Sequence, residues 1–346
     1  MRSIHGRLAD WSGGNGDVAG GISPGKENSG EQMVLYLKNN MEGEVVRFKA
    51  WAVVQGHQEV KGINFEETLP PTPTFQSLRC ILAIALACWW ETATFDVKTA
   101  YLNSPLEGKV YICPPAGKVL KVAGNVLRLK KAVYGLKQAA RCWWNHLRAI
   151  LATVGFQIND GDQSTYSYQK RDGVTVLWIN VDYEILMARN RDLINKLQEK
   201  LLASVQLKWH LKLHSIVGIE VKQVGHEFRL SQQALIAKLA AYHTNKFSPH
   251  QPLPNMVSKS NVARNVDKDY LLKIGMILYL AQATRPDVTF AVNYLERFSM
   301  VTNNHHWNAL RHLISYLGST IGESLVISAD TDRKVAEMYI DANWGG

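Results

Sequence analysis

The sequence predicts an α+β protein in which an antiparallel sheet is combined with helices. Val176–Met187 is an apolar run interrupted around Asp182, which is typical of a tight β-hairpin with this aspartate at its tip. Ala139–Val154 instead repeats its apolar residues at helical spacing and is followed by Gly155, a residue that favours helix ends. The length of 346 residues exceeds one average domain, so we expect two or three subdomains.

The amino-terminal quarter contains a polar stretch, a strand, a loop and a helix. Residues 1–32 are rich in Gly, Ser, Asn and Asp without periodicity, so we expect disorder there. Alternating apolar and basic residues predict a strand over 45–57, and three prolines predict an extended loop over 62–74. Ser77 is the expected cap of a helix over 78–90. Its apolar run is about half the length that a bilayer requires, so we expect a buried core helix.

The remaining elements follow from the same patterns of periodicity and turn residues. Strands are predicted around Asp96 and over 126–129, and a strand pair over 215–221 and 227–231. Helices are predicted over 191–202, 232–242, 270–284, 286–298 and 306–317, and 246–266 has the prolines and polar residues of a linker.

Composition favours a nucleic-acid partner inside the cell. The net charge of +9, with basic residues interspersed among aromatics, favours an anionic partner, and nucleic acid before membrane. The four cysteines have no CxxC spacing, so we expect reduced core thiols and no disulfide or zinc framework. The polar amino terminus carries no secretory signal. We therefore expect a protein of the cytoplasm, the nucleus or both, neither secreted nor bound to a membrane.

Two lone carboxylates follow apolar strands. Asp96 and Asp182 come from separate strands, and a carboxylate at such a position is costly to bury but suited to a metal ion. Two-metal phosphoryl transfer normally requires about three carboxylates that hold ions roughly 3.5 to 4 Å apart. The residue after Asp182 is Tyr183.

Five segments follow one another along roughly 300 residues and are weighed together as a constellation. They are Phe48-Lys49-Ala50 with Val54-Gln55-Gly56; Gly62-Ile63-Asn64-Phe65-Glu66-Glu67-Thr68; Asp96-Val97-Lys98-Thr99-Ala100-Tyr101-Leu102-Asn103; Val133-Tyr134-Gly135-Leu136-Lys137-Gln138-Ala139 with Arg141; and Ala283-Thr284-Arg285-Pro286-Asp287-Val288. In this order they resemble the polymerase region of copia-type LTR retrotransposons.

The resemblance implies a right-handed fingers, palm and thumb reverse transcriptase fold with an antiparallel palm sheet. The implied organisation is a disordered segment at 1–32, fingers and palm at 33–245, a linker at 246–266, a helical thumb or connection at 267–330, and 331–346 as the first strand of an RNase H-like domain. Met338–Trp344 resembles that opening strand, and we expect the domain to be cut off at Gly346.

The resemblance also assigns roles in catalysis. Asp96 and Asp182 correspond to catalytic carboxylates that bind two magnesium ions, of which one activates the primer 3′-hydroxyl and the other stabilises the leaving pyrophosphate. The alternative for Asp96 is a helix cap or turn aspartate. Tyr101 resembles the aromatic gate against the sugar of the incoming dNTP, and its alternative is a core tyrosine.

Further roles concern the nucleotide and the RNA template with its DNA primer. Gln138 resembles the template-side glutamine of the nucleotide pocket, and Lys49 resembles a fingers residue that reaches the triphosphate. Basic residues interleaved with Tyr134 and Trp143 suit a groove that follows a nucleic-acid backbone and offers stacking platforms. These basic residues are Arg128, Lys130, Lys131, Lys137 and Arg141. The alternative is a solvated basic face.

The chain departs from the family pattern at two sites. The family has Tyr-Val-Asp-Asp where this chain has Asn-Val-Asp-Tyr, so Tyr183 replaces a carboxylate. Glu184 could substitute only if its longer side chain bent back to the metal site. Trp51 stands where the family usually has an arginine, and indole cannot reproduce its paired hydrogen bonds to phosphate.

Three hypotheses follow from the sequence. The leading one is a copia-type reverse transcriptase fragment that has lost polymerase activity. The second is a nucleic-acid-binding module without turnover, and the third is the product of a translated pseudogene without activity. The sequence leaves the oligomeric state open.

Overall fold

The computed structural model describes residues 16–19, 31–39, 45–62, 65–106, 108, 110–112, 126–181, 183–241, 250–253 and 266–328. For 16–19, 31–39, 45–52, 58 and 126 it describes the backbone alone. Asp182, most of the predicted linker at 246–266 and the predicted RNase H-like strand at 331–346 lie outside these residues, as do 1–15 and 20–30 of the predicted disordered segment.

The described chain contains runs of strands and runs of helices. The strands are β1 Gly16–Ala19, β2 Glu31–Asn39, β3 Val45–Val54, β4 Glu91–Val97, β5 Tyr111–Ile112, β6 Val126–Leu129, β7 Gln157–Asn159, β8 Asp162–Lys170, β9 Gly173–Asn180, β10 Tyr183–Ala188, β11 Leu207–His210, β12 Ser215–Ile216, β13 Ile219–Val224, β14 Glu227–Ser231 and β15 Leu325–Ser328. The helices are α1 Phe75–Ala87, α2 Ala100–Asn103, α3 Ala139–Val154, α4 Arg191–Leu202, α5 Gln233–Ala240, α6 Lys268–Ala283, α7 Thr289–Glu296 and α8 Asn304–Ser319, with 3-10 turns at Gly56–Gln58 and Pro286–Val288.

The predicted α+β class with antiparallel sheets is confirmed. The largest described sheet has six strands in the order β11-β4-β10-β9-β8-β7, and its β7–β8 and β8–β9 pairs are antiparallel. Three smaller described sheets have the orders β1-β6-β5, β2-β3 and β12-β13-β14-β15. Each of their pairs is antiparallel.

The chain divides into two compact units. The first comprises 1–73, 94–186 and 191–209, and the second comprises 74–93, 187–190 and 210–346. The division differs from the predicted boundary near residue 245, because α1 and the β12–β15 sheet belong to the second unit with the later helices. The guanidinium of Arg79 on α1 donates to the carbonyls of Gln282 and Ala283, the latter at 3.1 Å, and so caps the end of α6.

In the first unit, α3 has the predicted bounds, and Gly155 ends it with a φ of +106°. Its buried side chains include Trp143, Leu147 and Leu151, and each such residue contributes roughly 1.5–3 kcal/mol by leaving water. Helix α4 also has the predicted bounds and contacts α3. No helix in the described part of the chain is long and apolar enough to cross a membrane.

A close backbone contact joins the end of β3 to the segment that leads into α3. The amide of Val54 donates to the carbonyl of Tyr134 at 2.9 Å. A Cβ added to Gly135 would lie 2.0 Å from the Val54 carbonyl oxygen, and one added to Gly56 would lie 2.0 Å from the Gly135 carbonyl oxygen. Gly135 also has a φ of +95°, which L side chains rarely adopt. The two segments can approach this closely only because both positions are glycine.

The second unit has its own apolar core. Helices α5 to α8 bury a contiguous cluster that includes Leu239, Ile277, Val292 and Leu313.

The Ala283–Val288 segment is anchored in this unit by a buried arginine. The guanidinium of Arg285 forms two hydrogen bonds to the carboxylate of Asp287, at 2.9 and 2.7 Å, and two more to Thr320. The hydroxyl of Tyr316 donates to the same carboxylate at 3.0 Å. This segment is one of the five that resemble the copia-type polymerase region, and its hydrogen bonds stabilise the packing of the second unit.

Several sequence-based expectations were wrong. Gly16–Ala19 lies in the segment expected to be disordered, yet its backbone pairs with β6, and β2 begins at Glu31. Thr74, and not Ser77, caps α1, because its hydroxyl accepts the Ser77 amide at 3.1 Å. The predicted strand over 215–221 is interrupted at Val217, whose φ is +47°.

The cysteines also differ from expectation. Cys80 and Cys88 are exposed and Cys142 is half-buried, while Cys113 lies outside the described residues. Cys80 and Cys88 lie on or beside α1, whose buried stripe uses Leu78, Leu82 and other apolar residues instead.

We predict that Gly135→Ala destabilises the first unit by roughly 2–4 kcal/mol, because the added Cβ must displace backbone and adopt a positive φ. Urea unfolding would measure the loss. Gly161→Ala is the control, since its Cβ meets no atom within 4 Å. Equal stability of the two variants would contradict the close contact.

We also predict that Asp287→Asn lowers stability at neutral pH and flattens the acid dependence of unfolding. Partial burial opposes ionisation, but the hydrogen bonds and charge of Arg285 hold the pKa of Asp287 below its usual value. The stabilisation is therefore present above about pH 4 and is lost as pH falls through the lowered pKa.

Urea unfolding at pH 7 and pH 3 would test this prediction. The control is Asp269→Asn, because Asp269 is an exposed carboxylate 3.9 Å from Lys273. A pH dependence of Asp287→Asn that matches the unmodified chain would rule the prediction out.

Candidate active site and nucleic-acid interface

The predicted hairpin is present, and helix α3 supports its tip. β9 ends at Asn180 and β10 begins at Tyr183, so the connection between them is short and includes Val181. Val181 has a φ of +57°, a conformation that costs an L residue roughly 1–2 kcal/mol. The indole N–H of Trp143 donates to the Val181 carbonyl at 2.6 Å. A hydrogen bond from α3 therefore holds the strained residue beside the predicted catalytic Asp182.

Asp96 lies on a strand next to this hairpin. It is the penultimate residue of β4, and β4 neighbours β10 in the six-stranded sheet. Thr94–Val97 and Tyr183–Leu186 belong to the same compact unit. Because it is half-buried within a strand, Asp96 is neither a helix cap nor a turn residue. Strand order therefore places Asp96 on the strand beside the hairpin, and its nearness to the hairpin tip stays a prediction.

The two residues after Asp182 have opposite environments. The side chain of Tyr183 is 49% exposed, whereas Glu184 is 1% exposed. Successive residues of a strand point to opposite faces of the sheet. Glu184 thus points to the opposite face of the sheet from the exposed Tyr183 and is buried there, a position that argues against Glu184 as a replacement ligand.

A buried glutamate organises the segment that leads into α3. Glu59 is 4% exposed, and its carboxylate accepts the backbone N–H of Lys137 at 2.8 Å and a hydrogen bond from the Gln138 side chain. Burial raises the pKa of Glu59, and the hydrogen bonds from Lys137 and Gln138 oppose this shift. The ammonium of Lys137 in turn donates to the Glu59 carbonyl at 2.9 Å. Sequence reasoning missed Glu59, because one glutamate in a loop forms no pattern.

Glu59 forms hydrogen bonds with two predicted site residues, Lys137 and Gln138. Gln138 is buried, directed to Glu59, and precedes α3 as its N-cap residue. Lys137 is exposed but lies 4.9 Å from the centroid of the Phe65 ring and is tied to the Glu59 carbonyl. Both residues therefore brace the junction between β3 and α3.

Tyr101 contacts this same region. It lies on α2, is half-buried, and packs its ring against Tyr134 with centroids 4.7 Å apart. Tyr101 also borders an apolar cluster that includes Val133 and Leu136. Half-burial leaves both predicted roles, sugar gate and core tyrosine, compatible with its position.

The predicted basic residues differ in how exposed they are to solvent. Arg128 and Lys130 are exposed, and Lys131 is half-buried. Arg141 forms an ion pair of 2.8 Å with Glu67 and donates to the carbonyl of Leu69 at 3.4 Å. Arg128 and Lys130 are thus presented to solvent, whereas Arg141 is partly neutralised.

The predicted stacking platforms are corrected by burial. Trp143 is 2% exposed, and its polar edge is used at the hairpin. Tyr134 is half-buried against Tyr101. Lys49 and Trp51 lie on β3 opposite Tyr36 and Val34 of β2, and their side chains lie outside the described residues. No group of three His, Cys, Asp or Glu side chains suited to a metal occurs within the described residues, which exclude Asp182.

The chain matches known proteins over most of its length. A family described as "Reverse transcriptase (RNA-dependent DNA polymerase)" matches residues 23–251. The Retrovirus-related Pol polyproteins from transposons RE2 and RE1 of Arabidopsis thaliana are each 31% identical over 324 residues, or 92% of this chain and 22% of theirs. The Pol polyprotein from transposon TNT 1-94 of Nicotiana tabacum is 29% identical over 330 residues, or 90% of this chain and 24% of its own. The chain therefore spans less than a quarter of each of these relatives.

Among solved structures, the foamy viral protease-reverse transcriptase in complex with double-stranded DNA matches with a TM-score of 0.42 and 12% identity. The match covers 86% of this chain and 44% of the viral chain.

We predict that Trp143→Phe destabilises the hairpin tip, because the carbonyl of Val181 loses its indole donor, at a cost of roughly 1–3 kcal/mol. Amide hydrogen exchange in β9 and β10 would measure the loosening. Trp89→Phe is the control, since Trp89 is 71% exposed and belongs to the second unit. Unchanged exchange in the hairpin of Trp143→Phe would refute the role of this hydrogen bond.

Proposed function

Because the chain belongs to the reverse transcriptase (RNA-dependent DNA polymerase) family of copia-type retrotransposon Pol polyproteins, we propose that it keeps nucleic-acid binding but has lost polymerase activity. Its partners are an RNA template paired with a DNA primer, and the ancestral substrates are dNTPs. The proposed organisation is the fingers, palm and thumb of the family. The proposed location is the cytoplasm or nucleus, where exposed thiols such as Cys80 remain reduced.

The single observation that carries the proposed loss of activity is the environment of Tyr183 and Glu184. Magnesium prefers carboxylate and other oxygen ligands, and two-ion sites usually have about three carboxylates. Asp96 and Asp182 supply two. The third position is an exposed tyrosine, and the neighbouring glutamate is buried on the opposite face of the strand. The donor set therefore does not fit a two-ion site.

The nucleotide side has a second defect. Trp51 replaces the arginine that the family uses to clamp phosphate, and the neighbouring Lys49 supplies a single point charge without paired geometry. Tyr101 and Gln138 remain as family-type residues beside the proposed pocket. Loss of one preorganised charged contact typically costs roughly 100- to 1000-fold in rate.

The proposed binding of nucleic acid rests on basic residues other than the proposed catalytic residues. Arg128 and Lys130 are exposed, and backbone binding requires positive charge without a catalytic geometry. Lys131, Lys137 and Arg141 follow closely in the sequence and add further positive charges. A chain that has lost turnover can therefore retain salt-dependent binding of an RNA·DNA hybrid.

We predict that Tyr183→Asp restores DNA synthesis by roughly 100-fold or more, and that adding Trp51→Arg increases it further, because each change returns a charged group to the transition state. Primer extension on poly(rA)·oligo(dT) with magnesium or manganese would measure the gain. Tyr183→Phe is the matched control, since it keeps the ring and adds no carboxylate.

The outcomes separate the hypotheses. Extension by the unmodified chain would overturn the proposed loss of activity, and Glu184→Gln would then test that residue as the ligand. Hybrid binding without extension by any variant would favour a binding module with deeper catalytic damage. Absence of both binding and extension would favour a pseudogene product without activity.

A further inference from the structure

Helix α3 presents an arginine that the sequence analysis did not select. Arg141 and Arg148 are separated by seven residues, so they lie on the same side of the helix, with Trp144 between them. The guanidinium carbons of Arg141 and Arg148 lie 4.8 and 5.3 Å from the centroid of the Trp144 ring. The ring itself is 8% exposed, so the helix offers two cations held over one buried indole.

The two arginines differ in what else they bind. Arg141 is half-buried and holds the carboxylate of Glu67 at 2.8 Å. Arg148 is exposed, and within the described residues it forms no ion pair with a carboxylate. Its positive charge is therefore available to an external anion, whereas the charge of Arg141 is already balanced.

The surroundings of Arg148 support an anionic partner. Burial raises the pKa of Tyr166 to about 12, and the positive charge of Arg148 opposes that shift, so the guanidinium acts at short range on this phenol. Burial and the positive charge of Lys131 lower the pKa of His146 on the same helix. The lowered pKa favours neutral His146 at pH 7, so this residue adds no fixed positive charge to α3.

An arginine held in this way is suited to phosphate. The guanidinium fork can donate two parallel hydrogen bonds to a phosphate group. Packing on the indole restricts the long side chain before binding, so less conformational entropy is lost when the phosphate arrives.

We propose that Arg148 is the main contact of helix α3 with the phosphodiester backbone of a bound nucleic-acid strand, and that Arg141 acts mainly as a structural brace. This inference rests on the proposed nucleic-acid binding and names a residue that carries it. Phosphate contacts contribute affinity without sequence preference, so Arg148 would act on template or primer strands of any sequence.

The test measures binding of a fluorescent RNA·DNA hybrid to the full chain by anisotropy across a range of salt concentrations. Arg148→Ala is expected to weaken binding roughly 10-fold and to reduce the slope of log affinity against log salt by about one. Arg148→Lys keeps the charge, so it should retain the slope while losing part of the affinity. Arg148→Gln repeats the loss of charge with a side chain that still covers the indole, in case Arg148→Ala is poorly folded.

Two further variants serve as comparisons. Lys200→Ala removes an exposed cation that lies 6.0 Å from the Tyr168 ring centroid in the same unit, so it matches Arg148 in charge and setting. Its slope should equal that of the unmodified chain. Arg141→Ala should lower the urea midpoint more than it alters the salt slope.

Each outcome is decisive. If the unmodified chain binds with a clear salt slope and both Arg148→Ala and Arg148→Gln retain it, the role of Arg148 is refuted while the proposed function stands. If Lys200→Ala loses as much as Arg148→Ala, the effect is one of net charge and the role is likewise refuted. If the unmodified chain does not bind the hybrid, the proposed function fails and this inference with it.

Discussion

The close approach of Gly56 and Gly135 is the constraint on which the candidate site depends. With no side chain at either position, the end of β3 lies directly against the segment that enters α3. This contact brings Glu59 to the backbone of Lys137 and fixes where the helix begins. Helix α3 then extends to Trp143, which holds the hairpin tip, and to Arg148 on its exposed side. Two segments far apart in sequence thus determine the position of residues at the hairpin and on the basic face.

Fold and chemistry are separable in this chain because they use different residues. The groups that hold the fold are buried and hydrogen-bonded, as Trp143 and Arg285 are. The family's third carboxylate would occupy the position of Tyr183, an exposed place at the start of a strand where a large side chain meets solvent. Replacement there removes a charge without creating a cavity or an unpaired buried group, the changes that destabilise proteins most.

Much of the local structure could be predicted because it has a periodic signature. Ala139–Val154 and Arg191–Leu202 repeat apolar residues at helical spacing, and Gly155 marks the end of the first of these helices, so their bounds agree with the prediction. The hairpin around Val181 was equally clear from its interrupted apolar run. The functional interpretation depended on the order of short segments and not on periodicity.

What escaped prediction depends on tertiary contacts. The indole N–H of Trp143 donates to the carbonyl of Val181 in a turn that is distant in sequence. Trp143 is therefore a buried support of the hairpin and not the expected stacking platform. Glu59 is buried by the segment before α3, and the residues around it in sequence form no pattern that predicts this burial. Helix α1 joins the second unit through Arg79, a contact that spans about two hundred residues of chain. Such pairings carry no signal in a single sequence.

The Arg285–Asp287 network has a consequence for how such elements are recognised. Its residues belong to the internal packing of the second unit, so a folded product depends on the Ala283–Val288 pattern whether or not the chain polymerises DNA. A genome census based on this pattern would count copies that can still fold. Estimating how many elements can still move requires inspection of the hairpin that contains Asp182 and Tyr183.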